Sequence, residues 1–173
     1  MERVIIIGCG GAGKSTLARQ LGEKTGLPVV HLDQLWWKPD WKHISREEFD
    51  QIVAEEADKP QWIMDGNFDR TMELRISKCD TVIYLDFNRI VCLLSWIKRV
   101  IQNWGHARTD MAEGCAEWFN PEMARWIWNF NNNNRERNYR LLNGAEHAET
   151  IVLKNRRAVK KFLGQLSGSN CSL

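Results

Sequence analysis

The sequence predicts a three-layer α/β/α protein built on a five-stranded parallel sheet. Short β-rich runs alternate with helically spaced segments along the 173 residues, the pattern of strands joined by crossover helices. The first run, Val4-Ile5-Ile6-Ile7, opens directly into Gly8-Cys9-Gly10-Gly11-Ala12-Gly13-Lys14-Ser15. That octet fits the phosphate-binding pattern G-x-x-x-x-G-K-[ST] without a mismatch, between a strand and a helix as the motif requires.

Strands are predicted at 3–7, 29–32, 61–64, 81–85 and 150–153. A helix from 15 to about 25 follows the phosphate loop and stops before Gly26 and Pro28. Ser45-Arg46-Glu47-Glu48 is a capping box that opens a helix to about 57. After the fourth strand, Ile90, Leu93, Leu94, Ile97, Val100, Ile101 and Trp104 recur at helical spacing and predict one apolar face turned to the core. Residues 105–120 have weak periodicity, two glycines and mixed charge, and read as a mobile segment, a short helical lid over the site. Asn120-Pro121-Glu122 supplies an N-cap, a first-turn proline and an early acid for a long helix to about 142. A last helix spans about 156–166, and a Ser/Gly/Asn tail from about 167 is expected to be disordered. No repeat or second boundary interrupts the chain, so one domain is expected.

Bulk properties exclude several classes. The net charge of +2 is too mild to announce a nucleic-acid or membrane partner. Five cysteines without a C-x-x-C pair predict neither a disulfide framework nor a zinc site, which fits a reducing cytoplasm. No signal segment and no run of about eighteen apolar residues appears, so a soluble cytoplasmic protein is expected. Nine tryptophans are expected in the core and the walls of a substrate cleft; they leave monomer and homodimer both open.

The phosphate loop sets the chemistry. Gly8, Gly10, Gly11, Ala12 and Gly13 let backbone N–H groups face phosphate oxygens, and the helix that starts beyond them adds its positive end, where Thr16 also lies. Lys14 offers a charge to the β- and γ-phosphates, and Ser15 offers a hydroxyl to Mg²⁺. ATP and Mg²⁺ are the expected ligands. The apolar strand ending in Asp65-Gly66 places a carboxylate for the metal side, and Asp33 emerges at the same sheet edge after the second strand. Asp33 fits the orientation of a hydroxyl acceptor, a metal role or a helix N-cap. His31 reads as a polar core residue. Phosphoryl transfer needs positioned cations, so Arg70 and Arg75 after the Asp-Gly turn, and Arg99, Arg108 and Arg125 around 105–120, form a candidate anion clamp. Asn131-Asn132-Asn133-Asn134 reads as a solvated helix face, and Trp36, Trp37 and Trp41 as a flat or apolar acceptor surface.

These residues together resemble the small-kinase branch of phosphate-loop proteins that includes adenylate, shikimate and gluconate kinases. Asp65-Gly66-Asn67-Phe68-Asp69-Arg70-Thr71 is similar to the adenylate kinase D-G-[FY]-P-R-T segment with one extra residue, Asp33 matches the acid after the second strand of shikimate and gluconate kinases, and Arg108-Thr109-Asp110 is similar to a lid R-x-D pattern. His31-Leu32-Asp33, Asp65-Gly66-Asn67, 110–115 and Arg125-Trp126-Ile127-Trp128 resemble, over nearly the whole chain, the DNA topology modulation protein family, FlaR-related. The resemblance implies an ATP- and Mg²⁺-dependent phosphotransferase acting on a small acceptor, with catalytic Lys14, Asp33 and Arg108, metal-binding Ser15 and Asp65, and acceptor-binding Asp33, Arg70 and Arg125. The second family's name implies a different class, a nucleotide-dependent regulator that binds DNA or a DNA-associated protein. The small net charge and the lack of a recognised DNA-binding motif argue against it.

Overall fold

The structure is a computed structural model that describes residues 1–168. Its centre is a parallel sheet of five strands, β1 (Arg3–Gly8), β2 (Val29–His31), β5 (Trp62–Asp65), β6 (Thr81–Leu85) and β7 (Glu149–Leu153), in the order β2-β5-β1-β6-β7. All five predicted strands are present. β1 and β6 are buried on both faces, as central parallel strands must be when helices cover the sheet on each side. Val4 and Ile6 of β1 face one core with Leu17, Leu21, Trp96, Ile127 and Leu163. Ile5 and Ile7 face the other with Trp62, Met64, Tyr84 and Leu142.

Five helices fall close to expectation, α1 (Lys14–Thr25), α3 (Arg46–Ala57), α5 (Arg89–Gln102), α6 (Pro121–Gly144) and α7 (Arg156–Gly168), whereas α4 (Met72–Lys78), between β5 and β6, was not predicted. Gly26 ends α1 at φ = 75°, Ser45 caps α3 by accepting from the Glu48 N–H at 3.1 Å, and Asn120 caps α6 by accepting from Glu122 and Met123. The tail beyond Gly168 lies outside the described residues. No helix among the described residues is long and apolar enough to cross a membrane. Cys9, Cys79, Cys92 and Cys115 are free and buried.

Three expectations need correction. The second strand stops at His31, because Leu32 already begins a short helix, α2 (Leu32–Trp36), which carries Asp33 in its first turn. A two-stranded hairpin follows, β3 (Trp37–Lys38) and β4 (Lys42–His43), closed by the turn Pro39–Trp41. The apolar face assigned to α5 is only partly its core face, since Val100, Leu93 and Ile97 do meet the core. Cys92, Trp96 and Val100 are buried, whereas Ile90, Leu94, Ile101 and the following Trp104 are more than half exposed. Each residue turns a helix by about 100°, and apolar residues here occupy more of the circumference than the sheet covers. Trp96 and Cys92 take the inner arc.

The expected helical lid is also different. Residues 105–120 contain no helix; they form a doubled-back loop with isolated bridges Trp104↔Glu117 and Ala107↔Ala116. The loop lies against the hairpin side of the site. Gln34 donates to the Thr109 carbonyl at 2.7 Å, Trp41 to that of Ala116 at 3.0 Å, and the Cys115 thiol to that of Lys38 at 3.1 Å.

Candidate active site

Parallel pairing brings the ends of three strands to one edge of the sheet, since Ile6 and His31 are both in register with Asp65. The phosphate loop leaves that edge. Gly11 (φ = 78°) and Gly13 (φ = 95°) hold left-handed backbone that side chains rarely adopt, and Gly13 caps α1. A Cβ on Gly11 would come within 2.2 Å of the Cys92 carbonyl oxygen. The loop therefore fits against α5 only because it lacks side chains. The Lys14 ammonium folds back over the loop and donates to the carbonyls of Gly8 at 3.0 Å and Cys9 at 3.2 Å.

Beneath the loop, the buried Cys9 thiol is hydrogen-bonded to Cys92, and this contact and its burial push its pKa up, so it stays protonated. Beside the loop, Asn67 closes a reciprocal pair with Gly8: the Gly8 N–H donates to Asn67 Oδ1 at 3.1 Å, and Asn67 Nδ2 donates to the Gly8 carbonyl at 2.9 Å. The turn that presents Asn67 is held by Arg75, whose fully buried guanidinium donates to the carbonyls of Gly66, Asn67 and Phe68 at 2.8–3.1 Å. Burial lowers Arg75 to about 10, which leaves it charged at neutral pH.

A single cavity of about 880 Å³ joins these parts. Gly10, Gly11, Gly13, Lys14, Ser15, Thr16, Asp33 and Arg108 all line it, so one space gathers most of the predicted set. Gly8 ends β1 and Ala12 packs into the core at 2% exposure; both shape the loop from behind. Burial pushes the Asp33 carboxyl above its ordinary pKa, with Asp65 and Asp110 adding to the rise and Lys14 and Arg108 opposing it. Asp65 is buried at the strand end, 2.5 Å from His31 Nδ1. Burial alone would depress His31, but its hydrogen bond with Asp65 and the charges of Asp65, Asp110 and Asp33 outweigh that and raise its pKa. His31 is thus the partner of the expected metal-side acid rather than a bland core residue.

The loop 105–120 contributes an ion cluster. Arg108 pairs with Glu117 at 2.9 Å and Asp110 at 3.2 Å, and Arg99 reaches Glu117 at 3.2 Å. Glu117 is buried, and burial together with the neighbouring Arg108 lowers Arg99. Burial works to raise the Asp110 carboxyl, but Arg108 and a hydrogen bond from Ser15 overcome it and hold the pKa below its ordinary value. At the far side Arg156 donates to Ser95 Oγ at 2.9 Å and lies 3.7 Å from where a Cβ on Gly13 would stand.

Two predicted acceptor ligands lie elsewhere. Arg70 projects from the surface and pairs with Asp50 at 2.5 Å, because the residues after Phe68 turn away from the cavity. Arg125 is exposed on the outer side of α6, whose adjacent Met123 and Trp126 line the cavity in its place. Arg75 is a structural pin. The asparagine run is not simply solvated, since Asn131 donates to the Phe87 carbonyl at 3.2 Å.

Sequence reasoning missed Glu117 and Arg156 as parts of the site, and named Asn67 and Asp110 only as members of motifs, without a role. Arg156 was within reach of the rule that ligands gather at the carboxyl ends of parallel strands, because it opens the helix after the last strand. Glu117 has no local signal at all.

No protein-family model and no curated protein matches the chain. Solved structures do. A shikimate kinase from Acinetobacter baumannii in complex with shikimate is similar at a TM-score of 0.57 and 15% identity, covering 100% of this chain and 96% of the other. A gluconokinase from Sinorhizobium meliloti 1021 gives 0.56 and 12%, over 98% and 95%, and a shikimate kinase from Bacteroides thetaiotaomicron gives 0.55 and 16%, over 98% of both chains. The shared feature is the fold. This chain has the architecture of these small phosphate-loop kinases, while the resemblance to the DNA topology modulation family rests on sequence motifs alone.

Proposed function

We propose that the protein is an ATP- and Mg²⁺-dependent phosphotransferase that passes the γ-phosphoryl group of ATP to a hydroxyl of a small acceptor. The observation that carries this reading is that the glycine face of the phosphate loop, Lys14, Ser15, Asp33 and Arg108 line one cavity. Phosphoryl transfer requires such an arrangement: backbone donors and cations around the phosphates, and a base at the acceptor.

In this reading the N–H groups of the loop and the α1 end cradle the phosphates. Lys14 leaves the carbonyls of Gly8 and Cys9 for the β- and γ-phosphates, and Arg156 neutralises charge on the opposite side. Asp33 orients the acceptor hydroxyl and takes its proton, a role favoured by a pKa raised toward neutrality. Arg108, held by Glu117 and Asp110, faces the transferring group. The donor set fits Mg²⁺. No cluster of three or more His, Cys, Asp or Glu side chains able to hold a metal occurs among the described residues, and Mg²⁺ is characteristically held by phosphates, waters and only one or two protein groups. Ser15, with Asp65 through water, would hold it and supply charge neutralisation at the phosphates.

The test is transfer from γ-labelled ATP, with and without Mg²⁺, across nucleosides, nucleoside monophosphates and small polyols. Transfer to one acceptor class that falls by about 10²–10³-fold in Lys14→Ala supports the reading. Salt-dependent, ATP-responsive DNA binding in place of transfer would overturn it in favour of a regulator.

A further inference from the structure

The acceptor half of the cavity, taken with the phosphotransferase reading on which this inference rests, narrows the class of molecule that is phosphorylated. Lys14, Arg99, Arg108 and Arg156 are the cations among the described residues that line the cavity. Lys14 and Arg156 stand at the phosphate loop. Arg99 and Arg108 are balanced in charge by the two carboxylates they pair with, the buried Glu117 and, at Arg108, Asp110. The arginines after the Asp65-Gly66 turn serve elsewhere, Arg70 on Asp50 and Arg75 on backbone carbonyls. A phosphate or carboxylate on the acceptor would therefore add its charge to that of Asp33 where the two nearby arginines are already balanced by Glu117 and Asp110, and like charges in a buried site repel.

The acceptor half offers Asp33 and a corner of two indoles. Trp37 and Trp41 stand edge to face, with centroids 5.4 Å apart and planes at 76°. Trp41 is held there against its backbone preference: Asp40 (φ = 63°) and Trp41 (φ = 56°) both adopt the left-handed region, which is unusual for an aspartate and an outlier for a bulky residue. Strain of this kind persists where the surroundings enforce it and gathers at binding sites. Here the enforcing contact is the Trp41 indole N–H, which donates to the Ala116 carbonyl at 3.0 Å. A fixed flat face beside a carboxylate suits a planar ring that carries a hydroxyl.

We propose that the acceptor is an uncharged molecule with a planar ring and a free hydroxyl, in the chemical class of nucleosides, and that phosphorylated and carboxylated acceptors are refused. The acceptor hydroxyl oxygen bonds to the γ-phosphorus as the bond from that phosphorus to the β–γ bridging oxygen breaks. ADP leaves with that electron pair, and the hydroxyl proton passes to Asp33.

The experiment gives the full chain Mg²⁺ and γ-labelled ATP with adenosine, guanosine, cytidine and uridine, with their 5′-monophosphates, and with shikimate and gluconate, while ATP binding is measured separately. The expected result is transfer to at least one nucleoside, with kcat/KM about a hundredfold above its monophosphate and above both carboxylates. Trp41→Ala is expected to raise the nucleoside KM about tenfold with kcat nearly kept, and Trp41→Phe, which retains a ring, to recover most of it. Transfer to a monophosphate or carboxylate that equals or exceeds the nucleoside rate overturns this inference and leaves the phosphotransferase reading in place. ATP binding without transfer to any nucleoside also overturns it. ATP that neither binds nor is consumed overturns the reading beneath it.

Discussion

The two ends of the cavity are built by different means. The end proposed to hold the nucleotide is backbone: a glycine loop fitted against α5, tied to the neighbouring strand through Asn67, and braced from below by Arg75. The end proposed for the acceptor is side chains presented by short or irregular pieces: α2, the Trp37–His43 hairpin and the loop 105–120, joined by a few hydrogen bonds to carbonyls. A backbone site follows from the sheet and tolerates little change. A side-chain site borrows its geometry from remote segments, so its chemistry is adjustable without disturbing the fold.

The largest expected effect separates chemistry from stability at the acceptor end. Asp33→Asn should lower kcat by about 10²–10⁴-fold while ATP binding is retained. Because the folded-state pKa of Asp33 is raised, its stabilising contribution is present below the unfolded pKa and lost as pH rises through the folded value. At neutral pH the charged form is the costly one, so Asp33→Asn should keep or raise Tm. In the unchanged protein, transfer should decline as pH falls through that raised value, at a higher pH than an ordinary aspartate would give. Burial raises this value first, and the groups that face Asp33 and adjust it are Lys14 and Arg108, which oppose the rise, and Asp65 and Asp110, which add to it. A drop in Tm comparable with the drop in rate would erase the contrast between the two ends, and calorimetry beside a pH–rate profile decides it.

At the nucleotide end the opposite pairing of effects is expected. Gly11→Ala places a Cβ 2.2 Å from the Cys92 carbonyl oxygen on a left-handed backbone. Overpacking of this kind costs about 1–3 kcal/mol, with about 1–2 kcal/mol more for the backbone conformation. Tm and ATP affinity should fall together. Asn67→Ala should do the same more weakly, by about 1–3 kcal/mol, since it leaves the Gly8 N–H without its partner and the Gly8 carbonyl with Lys14 alone.

The same division explains what the sequence made legible. The five strands, the crossover helices other than α4 and the caps at Ser45 and Asn120 are written in local patterns, and the phosphate loop is a contiguous octet whose residue types follow from its task. Asp33 was readable because strand ends gather ligands. Glu117 was not, because its burial depends on a loop that folds back so that Trp104 meets it, and nothing in the spacing of 105–120 encodes that return. The inner face of α5 was misread in part, with only Val100, Leu93 and Ile97 of the expected residues meeting the core, for a related reason. Aliphatic periodicity marks where apolar residues lie on a helix, but the position of the sheet decides which of two apolar arcs is covered, and here Trp96 and Cys92 won over Ile90 and Leu94. Arg70 was misread because sequence proximity to the Asp65-Gly66 turn was allowed to stand for spatial proximity to the acceptor. The chain turns outward at Asp69–Thr71 and delivers its guanidinium to Asp50.

Arg70 therefore supplies the smallest expected effect and a sensitive check on where the acceptor end stops. Its side chain is half exposed, its partners Asp50 and Glu47 belong to α3, and exposed pairs of this kind contribute little. Arg70→Ala should leave kcat and the acceptor KM within about twofold of the unchanged protein. A larger rise in KM, with kcat kept, would mean that Arg70 abandons Asp50 when acceptor binds and swings into the cavity. The acceptor end would then possess a cation not already balanced, and an acidic acceptor would become compatible with Asp33. Steady-state kinetics on this one variant, run with a nucleoside and its monophosphate side by side, distinguishes a fixed boundary from a mobile one.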